Sequence, residues 1–311
     1  MEVIKINTSI KFYTTNGVTT KISKYKKMIE PLTSNPKYIS QIVQGLLTHG
    51  AWPRFYGFEN FEERTYYSMY MENLLDRVLE YDDRSITQAR LPENRVIACC
   101  REFACLTCAI MREKNIPARV RGGFASYLGW KGSFEDHWIT EYWNGSNWIR
   151  VDPQIDPMQI SYIEQWGFNK VSLTNGTLLD SAGFDPHNLR KNDFVSAGQV
   201  WKWCRSGLID PNICGVDDFH GLWFVRQQLL MDFASLNKIE LALRFCDAKP
   251  NSNWDSWHLN VKSDEEVTAD EYSLLDTIAE LTLAPDKNLK TIIEMYSTIP
   301  ALQVPDVIYK Q

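Results

Sequence analysis

Cys100, His137 and Asp152 are the residue types of nucleophilic acyl chemistry, and they follow one another in that order. A thiol attacks a carbonyl as its thiolate. It therefore needs surroundings that favour the charged form, a base to take the proton, and a third group to orient the base. Cys100 stands where a helical pattern begins, after Ile97-Ala98. A helix N-terminus offers partial positive charge and unused N–H groups. The backbone N–H of Cys100 is also suited to an oxyanion hole. His137 lies in Glu135-Asp136-His137-Trp138, and Asp152 in Arg150-Val151-Asp152-Pro153.

Two elements must bring these residues together. Asn144-Gly145-Ser146-Asn147 separates the strand-like runs His137–Trp143 and Trp148–Asp152, which is a hairpin signal. With the turn centred on Gly145-Ser146, Trp143 pairs with Trp148, Glu141 with Arg150, and Ile139 with Asp152. Paired residues share a face, so His137 becomes the diagonal neighbour of Asp152, roughly 7 Å away between backbones. A one-residue bulge would separate them. The opposite face carries Trp138, Thr140, Tyr142, Ile149 and Val151, a set suited to a core. The cysteine helix is expected over 100–114, with Phe103, Leu106, Ile110 and Met111 as its apolar stripe. Pro117 excludes further helix, and Val120, Gly122 and Phe124 then alternate as a strand.

The flanks read as helical. Asn35-Pro36 opens a helix with Ile39, Ile42, Val43, Leu46 and Leu47, stopped by Gly50. A second is expected over 61–80, with Tyr67, Met71, Leu74, Leu75 and Val78 on one face. Further on, Asp193 is read as the cap of a helix through Val200 and Cys204. Leu222, Val225, Leu229, Phe233 and Leu236 mark a longer helix, and Thr268-Ala269-Asp270-Glu271 is a capping box opening another. A last helix holds Leu289, Ile292, Ile293 and Tyr296. The expected organisation is one compact α+β unit. It has a helical N-terminal part over 1–94, a core over 95–165 in which the cysteine helix packs on an antiparallel sheet, and a helical C-terminal part over 166–311.

At 311 residues and 44% hydrophobic content the chain supports a sizeable core, and a net charge of −6 gives a nucleic-acid partner no global support. No apolar run approaches the roughly 18 residues of a membrane span. Met1-Glu2-Val3-Ile4-Lys5 lacks the layout of a secretory signal. Seven cysteines without framework spacing fit reduced thiols, so a cytoplasmic location is expected. Cys105 and Cys108 form a C-x-x-C inside the helical pattern with no second ligand pair, which reads as packing. No acidic loop has the alternating ligands of a calcium site, and neither metal nor cofactor is expected. Cys99 is read as a packing neighbour rather than a second nucleophile, placed where it could also form a disulfide with Cys100. Trp138 is a candidate wall of a substrate cleft and Arg121 a candidate partner for a substrate carboxylate; the competing readings are core and salt bridge.

Cys100-Arg101-Glu102-Phe103-Ala104, the step Ile116-Pro117-Ala118-Arg119-Val120, Asp136-His137-Trp138 and Val151-Asp152 together resemble the transglutaminase-like superfamily, a branch of the papain-like thiol enzymes. In the flanks, Gln44-Gly45-Leu46-Leu47 and Gly221-Leu222-Trp223-Phe224 resemble bacterial proteins that carry this domain. The resemblance implies a papain-like core with Cys100 as nucleophile, His137 as base and Asp152 as its orienter. The implied reaction is hydrolysis or acyl transfer at an amide or thioester carbonyl of a peptide, protein or small molecule, through an acyl-enzyme. The fold also hosts inactive modules. The alternatives are therefore a non-catalytic binding module, or a redox-regulated thiol protein using Cys99 and Cys100. Oligomeric state is not legible in these features.

Overall fold

The computed structural model describes residues 8–129, 132–167, 170–241 and 253–309. The Asn35 side chain accepts from the Lys37 N–H and caps α1 (Pro36–Leu46), whose proline sits in the first turn where a missing N–H costs no helical bond. The helix stops short of Gly50, because Leu47–His49 forms a strand, β1. The next helix, α2 (Met71–Tyr81), buries Met71, Leu74, Leu75 and Val78 but begins well after residue 61. Residues 62–64 are a single 3-10 turn, and Thr65 bridges Ile97. β2 (Val96–Ala98) pairs in parallel with β1, placing His49 opposite Ala98. Strands this short carry no periodicity of their own, and partners far apart in sequence define them.

β2 leads directly into α3 (Cys100–Glu113), in which every residue from Cys100 to Arg112 is buried. Two buried arginines lock it in place. Arg101 donates to the Ser68, Met69 and Glu240 carbonyls, and Arg112 pairs with the Glu240 carboxylate at 3.1 Å. Asn115 takes a left-handed φ of 58°, and the Ile116 N–H reaches back to the Met111 carbonyl at 2.9 Å. Asparagine tolerates this helix ending.

β3 (Ala118–Ala125), β4 (Phe134–Trp143) and β5 (Trp148–Val151) follow. The hairpin has the expected register: Trp143 pairs with Trp148, and Glu141 with Arg150. The turn is closed by Asn144, whose side chain accepts from Ser146 and Asn147, with Gly145 at a φ of 102° that favours glycine. Then come α4 (Pro157–Trp166), a small ribbon of β6 (Lys170–Ser172) and β7 (Leu178–Asp180), β8 (Phe194–Ser196) and α5 (Ala197–Arg205). β9 (Cys214–Val216), β10 (Phe219–His220), α6 (Leu222–Leu236), α7 (Ala269–Leu283) and α8 (Pro285–Thr298) follow, and single helical turns form at Lys26–Ile29, His258–Val261 and Asp306–Tyr309.

The main sheet has the order β10-β9-β4-β3-β8, with β5 also on β4. β4 is its spine. β3 runs antiparallel along one edge, while the other edge takes β9 at Phe134–Glu135 and β5 at Thr140–Trp143. Three of the strands come from beyond residue 165, in a stretch expected to be helical. Asp193 does not cap a helix; it holds the Arg190 guanidinium at 2.7 Å, and the chain after it becomes β8 against Gly123–Ala125.

Adjacent residues of β4 enter different cores. Trp138 joins the larger cluster with Phe103, Leu106, Leu229 and Phe233, on the side where Thr140 Oγ1 donates to the Ala104 carbonyl of α3 at 2.9 Å. Ile139 joins the smaller one with Trp52, Tyr127, Ile155 and Phe184. This is the period-two alternation of a strand covered on both faces. Among the described residues no helix is long and apolar enough to cross a membrane.

Candidate active site

The hairpin register brings His137 and Asp152 together. Asp152 lies just past the last ladder pair, Thr140 with Val151, and its Oδ2 is 2.7 Å from His137 Nε2. The aspartate makes two more hydrogen bonds: Tyr127 donates its hydroxyl to Oδ2 at 2.6 Å, and the Gln154 N–H donates to Oδ1 at 2.9 Å. The Asp152 N–H in turn donates to the Pro186 carbonyl at 2.7 Å. Burial alone would push the Asp152 carboxyl up. The charge and hydrogen bond of His137, with those from Tyr127 and Gln154, outweigh it and hold the carboxyl below its usual range. Asp152 is thus an ionised, fully buried acceptor that fixes the ring of His137. With Nε2 committed to Asp152, Nδ1 is the nitrogen able to take a proton from a thiol.

Cys100 is the first residue of α3, as the helical pattern predicts. The Thr140–Ala104 bond pins the first turns of that helix to β4, three residues along from His137. The Tyr127 hydroxyl, raised well above its ordinary range by burial and then by Asp152, also feels the charge of Cys100. The set is closely covered: Cys100 is 5% exposed, His137 2% and Asp152 0%.

Cys99 has a different role from its neighbour. It is the N-cap of α3, and both its N–H and its thiol donate to the Glu102 carboxylate, at 2.9 and 2.8 Å. This is a capping box with sulfur in place of the usual hydroxyl. The six described cysteines are all free of disulfides, Cys99 and Cys100 included. Cys105 and Cys108 are wholly buried within α3, and burial pushes both thiols up.

Two candidate substrate contacts are placed elsewhere by the structure. Trp138 is 0% exposed and packs in the core under α3, on the opposite face of β4 from His137, so it lines no cleft. Arg121 is held by Asp232 through two hydrogen bonds of 2.9 and 2.8 Å, with further contacts to the Thr282 carbonyl and Glu141. Its donors are spent inside the protein, and it presents none to a carboxylate. Beside His137, burial pushes the Asp136 carboxyl well above its ordinary range and Glu135 to about 7. Tyr127 is the residue that sequence reasoning missed. It lies past the end of β3, and Phe184, stacked on it at 4.2 Å, packs with it in the smaller core.

Residues 65–153 match the family model of the transglutaminase-like superfamily, and with the helix-and-sheet core described above they make this part of the chain a transglutaminase-like domain. That superfamily belongs to the papain-like cysteine enzymes. No curated protein matches the chain. Among solved structures, a "putative cysteine protease" from Cytophaga hutchinsonii is similar at 19% identity and a TM-score of 0.31, over 47% of this chain and 42% of that one. The chain therefore spans less than half of that protein's length.

Proposed function

We propose that this chain is a thiol enzyme transferring acyl groups from an amide or thioester carbonyl, with Cys100 as nucleophile, His137 as base and Asp152 as the residue that orients His137. The observation that carries this reading is the buried 2.7 Å bond between His137 Nε2 and an ionised Asp152, whose other partner, Tyr127, is close enough to Cys100 at the start of α3 to feel its charge. In this reading His137 Nδ1 takes the thiol proton, and Sγ adds to the carbonyl carbon. The carbon–nitrogen or carbon–sulfur bond then breaks, and the leaving group departs with the proton held by His137. Water or an amine next attacks the thioester, gives its proton to His137, and releases Cys100 as the thiolate. Asp152 stabilises the imidazolium at both stages. The second nucleophile decides between hydrolysis and transamidation, with a peptide, a protein or a small amide as acyl donor. A reducing cytoplasm suits this chemistry, because it keeps the thiol reduced.

Alkylation by iodoacetamide tests the reading. Cys100 is expected to label far faster than a simple thiol at neutral pH, and His137→Ala to abolish that advantage. Labelling of Cys100 at ordinary thiol rates, unchanged by His137→Ala, would refute it. The second reading, a binding module without catalysis, draws on the 5% exposure of Cys100. Slow labelling in a folded protein is the outcome it predicts.

A further inference from the structure

A tetrahedral intermediate on Cys100 needs two donors for its oxyanion, and the N-terminus of α3 supplies one of them, the Cys100 backbone N–H. The second donor has to stand beside Cys100 on a separate element. β1 is that element. It ends at His49, opposite Ala98, and the Gly50 N–H continues the contact to the Ala98 carbonyl at 3.0 Å. Paired residues share a face. Cys99 keeps an extended backbone, with φ −110° and ψ 173°, so the pleat carries the Cys100 side chain to the side of Ala98 and His49.

The tautomer of His49 is fixed locally. The Ala51 N–H donates to His49 Nδ1 at 3.3 Å, which makes Nδ1 the acceptor and leaves the ring proton on Nε2. The ring lies close enough to Cys99, His137 and Asp152 to feel their charges, and burial lowers its pKa to about 4. At neutral pH it is an uncharged imidazole with one N–H to give. A neutral donor stabilises developing negative charge without competing for the proton that passes between Cys100 and His137.

We propose that His49, through its Nε2–H, is the second oxyanion donor for an acyl group on Cys100, a role that rests on the thiol chemistry proposed above. His49 is then a catalytic residue that touches the reacting oxygen, while His137 and Asp152 handle the proton.

Two probes of the intact protein separate the roles. Iodoacetamide alkylation passes through no oxyanion, whereas acylation by p-nitrophenyl acetate does. His49→Asn keeps an acceptor for the Ala51 N–H by placing its Oδ1 near the position of Nδ1, which leaves its amide nitrogen short of the position of Nε2; the longer His49→Gln can place its amide nitrogen near Nε2. Both variants are expected to alkylate at Cys100 at the wild-type rate. His49→Asn should lose acylation about 100- to 1,000-fold, and His49→Gln should recover most of it. Equal acylation by His49→Asn and wild type would overturn the proposal, as would parallel losses in both probes or equal rates for the two variants. Fast alkylation of the wild type without any acylation would overturn it while leaving the Cys100–His137 pair standing. Slow alkylation of the wild type would remove that pair, and this inference with it.

Discussion

Tyr127 and His137 share a single oxygen atom, Asp152 Oδ2, which accepts from the phenol at 2.6 Å and from the imidazole at 2.7 Å. The Gln154 N–H holds the other oxygen, so the carboxylate cannot turn without breaking a buried bond. Tyr127→Phe removes one of the donors that keep the Asp152 carboxyl below its usual range. The folded-state pKa then rises, and the acid limb of the kcat/KM profile for p-nitrophenyl acetate should move to higher pH. Stability that Asp152 contributes is present above its unfolded pKa and lost as pH falls through the folded one. The variant should therefore lose about 1.5–3 kcal/mol near neutral pH, as for a hydrogen bond to a charged group. An acid limb that stays in place would exclude Tyr127 from tuning Asp152.

Arg121 and Asp232 form a buried ion pair, with side chains 3% and 0% exposed. Removing one partner leaves a charge without compensation. Arg121→Met is predicted to cost about 3–5 kcal/mol in urea unfolding, and Arg121→Met with Asp232→Leu to recover most of that loss. Cys100 in the folded fraction should alkylate as in the wild type. If Arg121→Met instead left the unfolding midpoint unchanged and raised KM, the residue would be a substrate contact after all.

Glu135 sets a pH dependence of opposite sign to that of Asp152. Its folded pKa is raised to about 7, first by burial and then by Asp217, so between its unfolded pKa and 7 the native state binds more protons than the unfolded chain. Its contribution to stability therefore declines as pH rises from about 4.5 to 7. Glu135→Gln stays neutral throughout and should flatten that part of the curve, measured by urea unfolding at a series of pH values. A slope in this window that Glu135→Gln leaves intact would assign the dependence to another group.

The parts of the site governed by local rules were legible in the sequence. A turn centred on Gly145-Ser146 and the period of two fix which residues of β4 face Asp152, and the same alternation puts Trp138 on the covered side with α3. The start of the helix at Cys100 also follows from the local pattern, whereas the capping role of Cys99, which reads as a packing neighbour, does not. What stayed hidden depends on distant partners. Leu47–His49 becomes a strand only because Val96–Ala98 lies beside it, and Phe194–Ser196 because Gly123–Ala125 does. Arg121 is spent on an aspartate in α6, more than a hundred residues away. A salt bridge was the better reading of Arg121, but no local pattern names its partner. Tyr127 gives no signal either, since it sits outside any strand and acts through a hydroxyl.

The locks on α3 have a consequence for the order of biosynthesis. By the time residue 152 has left the ribosome, Cys100, His137 and Asp152 have all been made. Yet the Arg101 guanidinium waits for the Glu240 carbonyl, Arg112 for the Glu240 carboxylate, and the Asp152 N–H for the Pro186 carbonyl. A nascent chain paused between these points carries the chemical groups without the frame that aligns them. Until Glu240 has been made, these bonds to α3 are missing, and the family-matched stretch 65–153 by itself holds neither Pro186 nor Glu240.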